Sequence, residues 1–211
     1  MDDLAQSCRK FEINAWNTRI IANCREEELE TLVAAAAQGN AKLLDNALAY
    51  GCGRGYTQNE VLHTAVRTAI MGGHIECVKV LRAHSVKQFD STDTNMCLWA
   101  AAGGQLEMLK WMREQNPPWA WDTDTCFAAA YGGHLEVLKW LRAQNPPCPW
   151  DEWTCGMASK NGHLEVLKWL RNEDPPCPWH SGTCSVAAQG GHLEVLKWLR
   201  VQDPPCPWNE T

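Results

Sequence analysis

An all-α repeat solenoid of stacked helix-turn-helix repeats with short Pro-rich loops is the fold class this sequence predicts, on three observations. The eleven residues GGHLEVLKWLR at 132–142 return as NGHLEVLKWLR at 161–171 and again as GGHLEVLKWLR at 190–200. The histidines that mark these copies, His134, His163 and His192, stand 29 residues apart. Earlier in the chain the register recurs in degraded form, through Gln105 in GGQLEMLKWMR, His74 in GGHIECVKVLR and Asn40 in AAAAQGNAKLLDNAL, at steps of 29, 31 and 34. Self-similarity at roughly 20–50 residues is the signature of a stacked array. About six repeats therefore cover residues 29–211, and residues 1–28 fall outside the period.

The elements follow in order. Residues 1–28 contain FEINAWNTRIIANC, which mixes apolar and charged positions at near-helical spacing. This segment is expected to cap the first repeat or to reach a partner. Each later repeat reads as helix, tight turn, helix, loop. The first helix, CFAAAY at 126–131, sets Cys126, Ala129 and Ala130 on one face, and such small residues let two helices approach closely. The glycines that follow supply a turn with φ > 0. In the second helix Val137, Leu138, Trp140 and Leu141 span an apolar arc of roughly 160°, with Glu136, Lys139 and Arg142 opposite. Helices this short do not persist alone, so their stability must come from stacking. The loops NPPCPW (145–150) and DPPCPW (174–179 and 203–208) are stiffened by proline. Trp121, Trp150, Trp179 and Trp208 are expected to lie over helix ends, and Trp111, Trp140, Trp169 and Trp198 to form inter-repeat core.

The repeat DTCFAAAYGGHLEVLKWLR resembles the ankyrin repeat: a helix ending in Ala-Ala, two residues, Gly-His, then x-Glu-hydrophobic-hydrophobic-Lys-hydrophobic-Leu. The resemblance covers residues 29–211. It is similar in particular to the short Pro/Cys/Trp-rich ankyrin-like repeats of protist, algal and giant-virus proteins. Two departures stand out. The Thr-Pro-Leu-His opening is replaced by phrases such as WTCG (153–156) and GTCS (182–185). The later repeats are also about four residues shorter than the usual 33, and the loss falls where ankyrin proteins carry a projecting hairpin. The resemblance implies a curved stack of helix pairs that binds other proteins.

The formal charge of −6 leaves no basic footprint, which argues against nucleic acid and anionic membrane as partners. No apolar run approaches the ~20 residues needed to cross a bilayer, so direct membrane insertion is not expected. The start, MDDLAQSCRKFEINAW, has no leader-like pattern. With Met1 as the natural start the expected location is the cytoplasm, with the nucleus or an organelle as alternatives.

Eleven cysteines without a signal peptide argue against a disulfide framework, and cysteines in successive repeats lie about a helix diameter apart, beyond disulfide reach. Cys148, Cys155 and His163 are zinc-ligand types. In phase, however, Trp119 replaces Cys148, Gln105 replaces His163, and Cys77 takes the place of Met108, Val137, Val166 and Val195. Cysteine that exchanges with apolar residues behaves as a small buried hydrophobe, so neither metal nor cofactor is expected. The Gly-His histidines have no nucleophile or paired carboxylate in matching register, and no phosphate loop, dinucleotide fingerprint or nucleophile elbow occurs. No catalytic residue is assigned and an enzyme is not expected. The histidines are expected to bond neighbouring backbone and tie adjacent turns together.

If constant positions are scaffold, binding is written where copies differ. These positions are Thr123, Glu152 and Ser181; Asp124, Trp153 and Gly182; Phe127, Gly156 and Ser185; Tyr131, Lys160 and Gln189. The partner-binding candidates are Trp153, Asp124, Phe127, Tyr131, Glu152, Lys160, His180 and Gln189, with Trp153 as the anchor. The last second helix, LEVLKWLR, is as apolar as its inner copies, whereas end repeats normally carry a polar outer face. That edge is expected to be covered by further chain, another molecule or the PPCPW tail. The expected function is a non-catalytic scaffold binding a protein partner through its concave face. The alternatives are a structural linker subunit of a large assembly, or a substrate adaptor with an effector domain beyond residue 211.

Overall fold

The computed structural model describes residues 26–49, 58–84 and 89–207. Most of the segment at 1–28 lies outside the described residues, as does Trp208. Among the described residues are twelve helices and no strand: α1 Glu26–Ala37, α2 Ala41–Ala49, α3 Gln58–Met71, α4 Ile75–His84, α5 Asn95–Ala102, α6 Leu106–Arg113, α7 Thr123–Gly132, α8 Leu135–Arg142, α9 Glu152–Lys160, α10 Leu164–Asn172, α11 Ser181–Gln189 and α12 Leu193–Arg200. The described residues fall into two compact units, one from 26–68 and 76–84, the other from 69–75 and 89–207.

In the first unit α1 packs on α2, with Leu32, Ala35, Ala36, Leu44, Ala47 and Leu48 buried. Asn40 opens α2 by accepting from the Leu43 amide through Oδ1 at 3.0 Å, satisfying an otherwise orphaned donor. His84 Nε2 meets Asp45 Oδ1 at 2.8 Å and joins α4 to α2.

In the second unit the first helices of successive repeats, α5, α7, α9 and α11, pack side by side. Their shared faces are lined by alanine and cysteine, among them Ala100, Ala101, Ala129, Ala130 and Ala158, all without exposed surface. At the turn, Gly133 has φ 75°, and a Cβ there would lie 2.6 Å from Nδ1 of His163 in the next repeat. Both backbone conformation and space therefore demand glycine. His163 Nε2 then donates to the carbonyl oxygen of Tyr131 at 3.0 Å, and His134 Nε2 to that of Ala102 at 3.0 Å. Gln105, at the same position one repeat earlier, donates to Met71 O at 2.9 Å. Asn161, the single change in the repeated eleven residues, adds a second donor to Tyr131 O at 2.8 Å. These are the ties between turns that the Gly-His pattern implied.

The Pro-rich loop returns under its own repeat, and here two expectations are corrected. Arg142 was expected on the outer face beside Lys139. Instead its guanidinium covers the Trp150 ring at 3.9 Å and donates through Nη1 to Cys148 O at 2.7 Å. Arg171 does the same with Trp179 and Cys177 O. Trp140 and Trp169 were expected as core but are half-buried, because each takes a loop tryptophan of the preceding repeat edge-on. The pairs are Trp121 with Trp140 and Trp150 with Trp169, both with ring centroids 6.0 Å apart. The result is a lateral seam in which a cation, a loop indole and a helix indole alternate.

The same return path brings cysteines together inside one repeat. Cys126 donates to Cys148 O at 3.8 Å, and Cys148 to Asp122 O at 3.4 Å. Cys155 and Cys177 repeat the pattern. The eight described cysteines are free and buried. The thiols of Cys148 and Cys177 are pushed up, first by hydrogen bonding to Cys126 and Cys155 and then by burial. Such thiols are protonated and inert.

Candidate functional site

The face on which the copies differ is carried by α7, α9 and α11, whose starts are fixed by capping boxes. Asp122 accepts from the Asp124 amide at 3.0 Å and Asp151 from the Trp153 amide at 3.0 Å. Thr125 and Thr154, fully buried, bond back to the cap amides. Burial pushes the Asp151 carboxyl up, outweighing the Thr154 and Trp153 amides that favour its charge. In the last copy His180 replaces the aspartate and accepts from the Gly182 amide through Nδ1 at 2.8 Å.

From these fixed starts, positions spaced i, i+3 and i+7 share one helix face. Asp124, Phe127 and Tyr131 form the row on α7; Trp153, Gly156 and Lys160 that on α9; Gly182, Ser185 and Gln189 that on α11. Tyr131 is 37% exposed, Gln189 is exposed, and Asp124, Glu152 and Lys160 are half-buried. Phe127 is only 5% exposed and lies under this face. Trp153 is half-buried and stands edge-on to His180, ring centroids 4.9 Å apart, beside the buried and unpartnered His180 Nε2.

Sequence reasoning passed over Gly156 as a feature in its own right. It replaces Phe127 in mid-helix, and a Cβ built on it meets nothing within 4 Å. Gly156 is itself buried, so the row between Trp153 and Lys160 holds unfilled space where Phe127 stands one repeat earlier, and a glycine inside an otherwise ordinary helix was the signal for it. Among the described residues no three His, Cys, Asp or Glu side chains gather to hold a metal ion.

Two ankyrin family models match this sequence, one described as ankyrin repeats (3 copies) over residues 32–119 and one as ankyrin repeats (many copies) over residues 126–171. The chain belongs to the ankyrin repeat family. Among solved structures, this ankyrin chain is similar to the human ASB11 ankyrin repeat domain, with 20% identity and a TM-score of 0.50, over 79% of this chain and 80% of that one. That likeness concerns the fold, an all-α repeat solenoid. No relative was found among curated proteins. Ankyrin repeats generally mediate protein–protein interaction and are typically non-catalytic. No described helix is long and apolar enough to cross a membrane.

Proposed function

We propose that this chain is a non-catalytic scaffold that holds a protein partner along the first-helix face of α7, α9 and α11. The observation that carries the reading is the contrast within each repeat. Ties, caps, loop clamps and core recur nearly unchanged, while Asp124/Trp153/Gly182, Phe127/Gly156/Ser185 and Tyr131/Lys160/Gln189 differ from copy to copy. The unfilled space at Gly156 accepts a partner side chain, Trp153 and Tyr131 supply aromatic surface, and Lys160 supplies charge. A reducing intracellular location belongs to the same proposal, supported by the buried free thiols.

The test places a photo-crosslinking residue at Tyr131, Lys160 or Gln189 and, separately, at Glu136, Glu165 or Glu194 on the second helices. The expected result is one protein captured from all three first-helix positions and from none of the glutamate positions. Equal capture from both sets sinks the assignment of the face.

A further inference from the structure

The junctions of the second unit are built alike. The His134 ring sits against Gly104, His163 against Gly133 and His192 against Gly162, each glycine left-handed. Gly191 has the same conformation, φ 73°, but a Cβ added there meets nothing within 4 Å. Exposure breaks at the same place. Ser185 and Ala188 are exposed and Leu196 half-buried, whereas Phe127, Ala130 and Leu138 at the same positions are buried. Leu193 is 60% exposed. A groove of about 520 Å³ follows, lined by Leu193, Leu196, Lys197, Arg200 and Val201.

Val201 decides what kind of cover fits. Its counterparts Glu114, Ala143 and Asn172 stay exposed even though a following repeat covers their helix pairs. Another repeat of the same build therefore leaves this position in water. Here the position is apolar, 77% exposed and part of the groove wall. We propose that the face of α11 and α12 docks a partner polypeptide through a helical edge. That edge carries an imidazole or carboxamide for the seat at Gly191 and the carbonyl oxygen of Gln189, and extends over Val201 with apolar side chains. The seat continues an interface the chain already uses at each inner junction. It meets the first-helix face at Ser185 and Gln189 of α11 but does not rest on that assignment.

The test uses the full chain with a photo-crosslinker at Val201, followed by purification of whatever it captures. The purified protein is expected to bind the unmodified chain and to lose about tenfold or more in affinity on Val201→Glu, an exposed change that leaves folding intact. It is expected to bind Glu136→Ala, an exposed change on α8, as tightly as the parent. A chain lengthened after residue 208 by a second copy of residues 180–208, with the Val201→Glu change in the added copy, is expected to bind it about tenfold or more weakly. Three results overturn the proposal: equal binding to the lengthened chain, no capture from Val201, or self-association of the 211-residue chain that Val201→Glu abolishes. The last assigns the face to a second copy.

Discussion

At the scale of residues, buried thiols make this chain sensitive to alkali. Burial pushes Cys97 up to about 12, and burial with hydrogen bonding to Cys184 pushes Cys206 up to about 12. In the unfolded chain a thiol ionises near pH 8.5. Stability linked to these groups is therefore full below about pH 8.5 and is lost as pH rises toward the folded values. Melting temperature is expected to fall between roughly pH 8 and 10, with a shallower slope after Cys97→Ala and Cys206→Ala. Gly156 gives a second prediction. It sits in α9 with open space before it, so Gly156→Ala is expected to stabilise the fold by about 1 kcal/mol in denaturant titration. On the proposed function the same methyl intrudes on the partner and lowers affinity. Stability and binding then move in opposite directions, which a core residue would not do.

The histidine tie holds neighbouring repeats in register and the arginine clamp fixes each loop to its own repeat, and each has its own test. Removing the inter-repeat donor by His163→Ala is expected to cost about 1–2 kcal/mol, since Tyr131 O loses its imidazole partner. His163→Gln is expected to recover most of that, because Gln105 makes the equivalent bond in this very chain. Arg142→Lys is expected to lower the melting temperature nearly as much as Arg142→Ala. A lysine cannot both cover the Trp150 ring and reach Cys148 O with a planar fork. The histidine ties were legible in the sequence because the turn and its donor repeat together. The arginine clamp was not: a helical wheel places Arg142 by angle alone, and the loop that folds back over it has no helical period. The meeting of Cys126 with Cys148 escaped for the same reason, since it depends on where the loop returns. Phe127 shows a different gap, since a difference in residue type between copies says nothing of depth.

At the scale of the molecule, contacts in the second unit run between neighbouring repeats, so stability is expected to be local. In hydrogen exchange, amides of α11 and α12 are expected to open before those of α7 and α8, which have a repeat on either side. Uniform protection across these helices would contradict the open face at Gly191. The fold class and the helix pairing were legible because period and patterning agree at every copy. The binding face was legible only as a set of differences. What those differences accept depends on depth, as at Gly156, and a one-dimensional pattern carries none.

The histidine tie also gives the array a direction. The His134, His163 and His192 rings each point back to the repeat before and leave their own left-handed glycine ready for the next. A junction thus needs nothing that one 29-residue copy does not already contain, a seat and a donor side by side at its turn. Duplicating or deleting whole copies in the gene changes the length of such a chain without requiring a new contact. The near-identity of the last three copies is what recent growth by that route would leave behind.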